Sequence, residues 1–188
     1  MKSVALGIIR KAASFAAHRR GCELGTGVIL NGFPYIRRRG SGRIIIGDGV
    51  TLNTARWANW LNTGASMTLN VEDGAVLELK RGCGVSASQI IANVGIEIGE
   101  DALIGAGCLL CDSDMHEVPL GSSKSVAMKP IKIGARAFVG ARTIVLKGVT
   151  IGEGSVIGAG SVVTRDIPAG VMAGGNPAKV MRTLTVNL

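Results

Sequence analysis

The sequence is poor in aromatic residues, which make up 3% of its 188 positions. A core of stacked rings is therefore excluded, and Ile, Val, Leu and Ala must fill the interior. Proline is scarce at five residues while glycine reaches 28, so tight turns rest on glycine, not on proline. Carboxylates are fewer than cations, 13 against 21, leaving a net charge of +8 that suits anionic partners such as a phosphate-bearing cofactor, an acidic glycan or a membrane surface. No basic stretch is interleaved with aromatics, which argues against nucleic acid. No apolar run approaches the roughly 20 residues needed to span a bilayer. Residues 1–20 lack the apolar run and cleavage site of a secretory signal, so the four cysteines (Cys22, Cys83, Cys108, Cys111) are expected to be free thiols in a reducing, cytoplasmic setting, with the inner face of the membrane as the alternative location. Cys108 and Cys111 have metal-type spacing, but no second pair exists and no metal is expected.

What the chain does contain is a sixfold rhythm. Ile133, Val139, Val145, Ile151, Ile157 and Val163 follow one another at steps of six, all aliphatic and β-branched. Four residues after each stand Ala137, Thr143, Val149, Ser155, Ser161 and Ile167. The rule holds upstream at Ile98, Ile104 and Leu110, and more loosely at Ile46, Leu52, Val71 and Leu77. A period of six matches neither an amphipathic helix nor an alternating strand; it marks a parallel β-helix in which each hexapeptide is a short strand and a corner. Three hexapeptides close one triangular coil. Inward aliphatic residues stack on their equivalents one coil away, about 4.8 Å along the axis.

Around this prism the sequence reads as three parts. Residues 1–43 form an N-terminal helix and a basic lead-in, 44–172 the β-helix, and 173–188 a tail. Residues 3–18 read as a helix. One reading packs it on the open end of the prism or on a neighbouring subunit; the other lays residues 3–20 on a membrane, helped by Lys11, Arg19 and Arg20. Residues 21–43 read as irregular, with Arg37, Arg38 and Arg39 in a row. Trp57 and Trp60, in a break of the early repeat, read as packing or interface residues, with sugar stacking as the alternative. Pro177 reads as the end of the strand pattern, before a short helix or tail.

The rhythm breaks at 112–130, DSDMHEVPLGSSKSVAMKP. Counting by six from Ile98 reaches Ile104, Leu110 and then His116, so the histidine falls where an inward aliphatic residue is due. A loop thrown from a β-helix corner is a usual place for function. Imidazole, with a reference pKa of about 6.5, can take a proton at neutral pH, as acyl transfer to a hydroxyl or amine requires. Asp112 and Asp114 stand close enough in sequence to orient it or to hold a substrate hydroxyl.

The segment from Ile98 to Arg182, with its IG repeats, DSDMH, VIGAGSVVTRDIP and AGGNPAKVMR, resembles the hexapeptide-repeat acetyltransferases that use acetyl-CoA. It looks most like the branch of galactoside, maltose and polysaccharide O-acetyltransferases. The resemblance implies a left-handed coil and a homotrimer with active sites between subunits. His116 matches the catalytic base of direct transfer from acetyl-CoA to a sugar hydroxyl, in surface polysaccharide or lipopolysaccharide synthesis. Asn93 stands where sugar-specific members carry an acceptor-binding aspartate. Ala141 and Ala159 match positions whose backbone meets the pantetheine arm, Thr164 and Arg165 a turn near the cofactor, and Lys179 and Arg182 basic positions that meet its phosphates. N-acetylation of an amino sugar and a non-catalytic scaffold are the alternatives. A zinc site of the carbonic anhydrase type on this prism needs three histidines, and the chain has two.

Overall fold

The structure, a computed structural model, describes residues 2–62, 64, 66–122 and 124–185. Helix α1 (Lys2–Arg19) is followed by short strands, most of two to four residues, and a 3-10 turn at Arg56–Ala58. The strands form three sheets that wind as a left-handed parallel β-helix. The first face begins at Cys22–Leu24 and ends at Thr150–Ile151. The second runs from Ile29–Asn31 to Ala178–Thr183. The third runs from Tyr35–Arg38 to Val162–Val163. Within the prism each inner strand pairs in parallel with its equivalents above and below, so neighbouring coils satisfy one another's backbone groups.

The sixfold rhythm is the core. Ile133 pairs with Ile151, Val139 with Ile157 and Val145 with Val163, one coil of eighteen residues apart. All six side chains, and the small residues four positions later, are buried. Each aliphatic side chain so buried contributes about 1.5–3 kcal/mol, which replaces the missing aromatic core. Corners are tight enough that some accept only glycine. A Cβ at Gly140 would lie 2.6 Å from the backbone nitrogen of Ala159, one coil below.

Two boundaries differ from the sequence reading. The prism starts at Cys22, not near Ile44: Cys22–Leu24 pairs with Ile44–Ile46, and Ile29–Asn31 and Tyr35–Arg38 complete this first coil. Its coil is longer than eighteen residues, so the count by six slips while Cys22, Leu30 and Ile36 still point inward and are buried. At the other end, Val171–Gly175 stays in the second face and Ala178–Thr183 folds back antiparallel on it. Pro177 sits in the turn between them, where its missing N–H leaves no ladder bond unmade. Residues 186–188 of the expected tail lie outside the described residues.

Helix α1 covers the open end of the first coil. Ala13 and Ala17 join the core beside Cys22, Leu30 and Ile36, and Arg10 Nε donates to Asn31 Oδ1 at 2.9 Å. Among the described residues no helix is long and apolar enough to cross a membrane. Two loops leave the prism. One, between Asn53 and Thr68, joins the second face to the third; the other, between Cys111 and Ile131, joins the third to the first. Trp57 and Trp60 lie in the former, 53% and 99% exposed.

Candidate active site

The second loop is built to hold its root rigid. Its two limbs run antiparallel: Ser113 bridges Met128, Asp114 N–H donates to the Ala127 carbonyl at 3.0 Å, and Lys129 N–H donates to the Asp112 carbonyl at 2.9 Å. Ser113 Oγ accepts from Met115 N–H at 2.9 Å, which fixes Met115 at a left-handed φ of 62°. Strain at such a residue persists only where surrounding contacts impose it.

Asp112 is fully buried and is the anchor. Its Oδ1 accepts from the Asn93 backbone N–H at 2.7 Å and from Asn93 Nδ2 at 3.0 Å. Its Oδ2 accepts from Val94 N–H at 2.9 Å and Gly95 N–H at 2.7 Å. Four donors thus satisfy one buried carboxylate, the condition under which a charge can be held inside. The turn at 93–95 and the loop are clamped together, and Asn93 spends its amide on the clamp. Asp114 takes a different partner, Lys147 Nζ at 2.5 Å, which reaches it from the turn of the next coil. Lys147 was not a sequence candidate. It occupies a corner position that the repeat leaves free, and only the fold carries it across the loop to Asp114.

His116 does not occupy an inward position. The inward series ends at Leu110, buried Asp112 and Ser113 close the coil, and the chain has already left the prism by residue 116. The histidine is exposed, and among the described residues no side chain hydrogen-bonds it. Neither Asp112 nor Asp114 is in contact with its ring by hydrogen bond; they position the loop that presents it.

The other candidates fall on distinct edges of the third face. Ala141 and Ala159 stack on the corner between the second and third faces. With Leu61, Arg142 and Gly160 they line a groove of about 460 Å³. It adjoins a second groove of about 220 Å³ whose lining includes Asn53, Leu61, Ser86, Phe138 and Ala141. The terminal hairpin meets the same corner, since Gly175 N–H donates to Ser161 Oγ at 3.1 Å and Lys179 pairs with Gly174. Lys179 and Arg182 are exposed on that hairpin. Thr164 and Arg165 follow Val163 on the opposite edge of the third face, the edge from which the histidine loop departs. One chain therefore carries the histidine on one corner and the alanine-lined groove on another.

All four cysteines are free thiols. Burial pushes Cys22 up to about 11 and Cys83 up to about 12. Cys108 and Cys111 are raised by burial as well. Cys108 Sγ donates to the Gly140 carbonyl at 3.2 Å, inside the prism. Among the described residues no group of three or more His, Cys, Asp or Glu is placed to hold a metal ion.

The model of the hexapeptide repeat of succinyl-transferase matches residues 83–111 and 130–165. Similar solved structures cover most of the chain. A point mutant of AntD, an N-acyltransferase from Bacillus cereus in complex with dTDP-4-amino-4,6-dideoxyglucose and coenzyme A, superposes with a TM-score of 0.65 at 17% identity, over 92% of this chain and 90% of its own. The polySia-specific acetyltransferase NeuO gives 0.56 at 24% identity, over 89% and 84%. A hexapeptide-repeat acetyltransferase from Vibrio cholerae O1 biovar eltor, complexed with acetyl coenzyme A, gives 0.53 at 21% identity, over 96% and 86%.

Proposed function

This chain is a hexapeptide-repeat protein with the left-handed β-helix fold of the hexapeptide-repeat acyltransferases, and on that premise we propose that it transfers an acetyl group from acetyl-CoA to a hydroxyl of a sugar, with His116 as general base. The observation that carries the reading is the presentation of His116. An exposed imidazole stands on a loop whose root is locked by four hydrogen bonds to Asp112 and by the Asp114–Lys147 pair.

The residues present fit acetyl-CoA. Small side chains at Ala141 and Ala159 leave an open groove along the corner, and Lys179 and Arg182 put two cations on the hairpin beside it, suited to phosphates. Thr164 and Arg165 would meet the cofactor from the other edge. When bound, acetyl-CoA supplies the thioester carbonyl. His116 accepts the acceptor's proton as its oxygen attacks that carbonyl, and returns the proton to the departing thiolate. Because the histidine and the groove lie on different corners of one chain, a complete site takes its histidine from one copy and its groove from the next. Leu103, Phe138 and Leu146, 51%, 44% and 40% exposed on the second and third faces, are apolar surface for such copies to bury. A homotrimer of parallel prisms satisfies both demands.

The acceptor we favour is a sugar of a surface polysaccharide or lipopolysaccharide precursor, handled in the cytoplasm. An amino sugar is the second reading, because the same base serves an amine and the similar AntD acts as an N-acyltransferase. The test is coenzyme A release from acetyl-CoA over a panel of sugars, amino sugars and nucleotide sugars. Acceptor-dependent release supports the reading; no release together with no acetyl-CoA binding by calorimetry overturns it. Mixing His116→Ala with Ala159→Trp subunits examines the shared site: each variant is inactive alone, and the mixture regains activity only if the site spans two chains.

A further inference from the structure

The outward face of α1 has no role in the site. The helix turns Ala13 and Ala17 into the core, which leaves the other side pointing away from the protein. Val4, Ile8 and Phe15 lie there, 67%, 63% and 67% exposed. Their spacing of four and seven puts them on one stripe, with exposed Ala5, Lys11 and Ala12 between and beside them. Three large apolar side chains held in water along one helix need a cover.

The charge around the stripe says which cover fits. The helix contains Lys2, Arg10, Lys11 and Arg19, and no Asp or Glu. His18, Arg19 and Arg20 follow the stripe at its C-terminal end, all exposed. Arg38 stands against Gly21 just beyond, where an added Cβ would lie 2.7 Å from its Nε. The first carboxylate along the chain, Glu23, is taken by Arg43 through two bonds of 2.9 Å. A second copy placed stripe to stripe would bring two cationic rims together, which disfavours self-association through this face. An anionic lipid surface meets both features, because apolar side chains enter the headgroup boundary while Lys and Arg stay among the phosphates.

We propose that α1 docks this protein on anionic membranes through Val4, Ile8 and Phe15, with Lys11, Arg19, Arg20 and Arg38 as the rim. The helix closes the prism with one face and lies on lipid with the other. An acceptor sugar carried on a lipid would then be reached without leaving the surface, although docking does not depend on the nature of the reaction. A single chain binds weakly and reversibly, as an interfacial helix with a short stripe should; several copies side by side would bind more tightly by avidity.

The test is co-sedimentation of the full chain with vesicles of phosphatidylcholine alone and of phosphatidylcholine mixed with phosphatidylglycerol. The comparison protein is Ile8→Glu/Phe15→Glu, whose changes touch exposed positions outside the site and whose fold is checked by circular dichroism. The expected result is binding to the mixed vesicles only, weakened by added salt and reduced roughly tenfold or more in the variant. Absence of binding to either vesicle overturns the proposal, as does undiminished binding by the variant. Concentration-dependent self-association that the variant abolishes, without vesicle binding, also overturns it and assigns the stripe to a second copy.

Discussion

Asp112→Asn changes one oxygen to an amide nitrogen and keeps the shape. In the wild type each carboxylate oxygen accepts two hydrogen bonds, from Asn93 on one side and from Val94 and Gly95 on the other. Whichever way the new amide turns, two donors face an NH₂ group that cannot accept. Each hydrogen bond to a charged acceptor is worth about 1.5–3 kcal/mol, and a buried donor left unmatched costs a similar amount. With some relaxation of the turn we expect a loss of about 3–5 kcal/mol. At about 2–4 °C per kcal/mol for a chain of this size, the melting temperature should fall by roughly 10 °C. Because the clamp joins the 93–95 turn to the histidine loop, kcat should drop while acetyl-CoA affinity holds. Differential scanning calorimetry reads the stability, titration of acetyl-CoA the affinity, and coenzyme A release the turnover. A melting temperature within about 2 °C of wild type would refute the clamp.

Four further outcomes follow from the same geometry. Lys147→Met removes the partner of Asp114; the pair is about a quarter exposed on each side, so stability should change by no more than about 1 kcal/mol, while acetyl transfer slows several-fold if the pair holds the loop. Gly140→Ala puts a Cβ 2.6 Å from the Ala159 nitrogen and 2.7 Å from the Ile157 carbonyl; forcing two coils apart should cost about 1–3 kcal/mol, read by chemical denaturation. The buried thiols set an alkaline limit. Cys22 and Cys83 keep their protons to about 11 and about 12 in the folded chain, whereas the unfolded chain releases them near 9. Stability from this source is complete below pH 9 and is lost as pH rises through 11 to 12; urea midpoints across that range measure it. At neutral pH the same two thiols should resist maleimide until the chain unfolds, as mass spectrometry would show.

The coil was legible because its physics is local. An inward β-branched residue every six positions and a small residue four later describe the stack without reference to anything distant, and Ile133 through Val163 are buried as that rule requires. The first coil was not legible. Its turns are longer, so Cys22, Leu30 and Ile36 keep their inward places while the count between them drifts. The terminal hairpin was missed for a related reason. Pro177 breaks a strand pattern when read alone, but here the break is the turn between two paired strands. Within the loop, the special place of His116 could be seen from the interrupted rhythm, but its exposure could not, because the count by six presumes a coil that the chain has already left. The partners of Asp112 and Asp114 lie one coil away, at Asn93–Gly95 and Lys147. No spacing in the sequence announces either pairing, since the length of the loop decides which residues stack.

The most direct test of the account is the rate of acetyl transfer by His116→Asn, measured beside the affinity of the same protein for acetyl-CoA. An asparagine keeps a polar group on an exposed position and removes only the base. We expect turnover with a good acceptor to fall by about 10²-fold or more while acetyl-CoA binds as in the wild type. Turnover within a few-fold of wild type would contradict the central claim and move the proton transfer to another group.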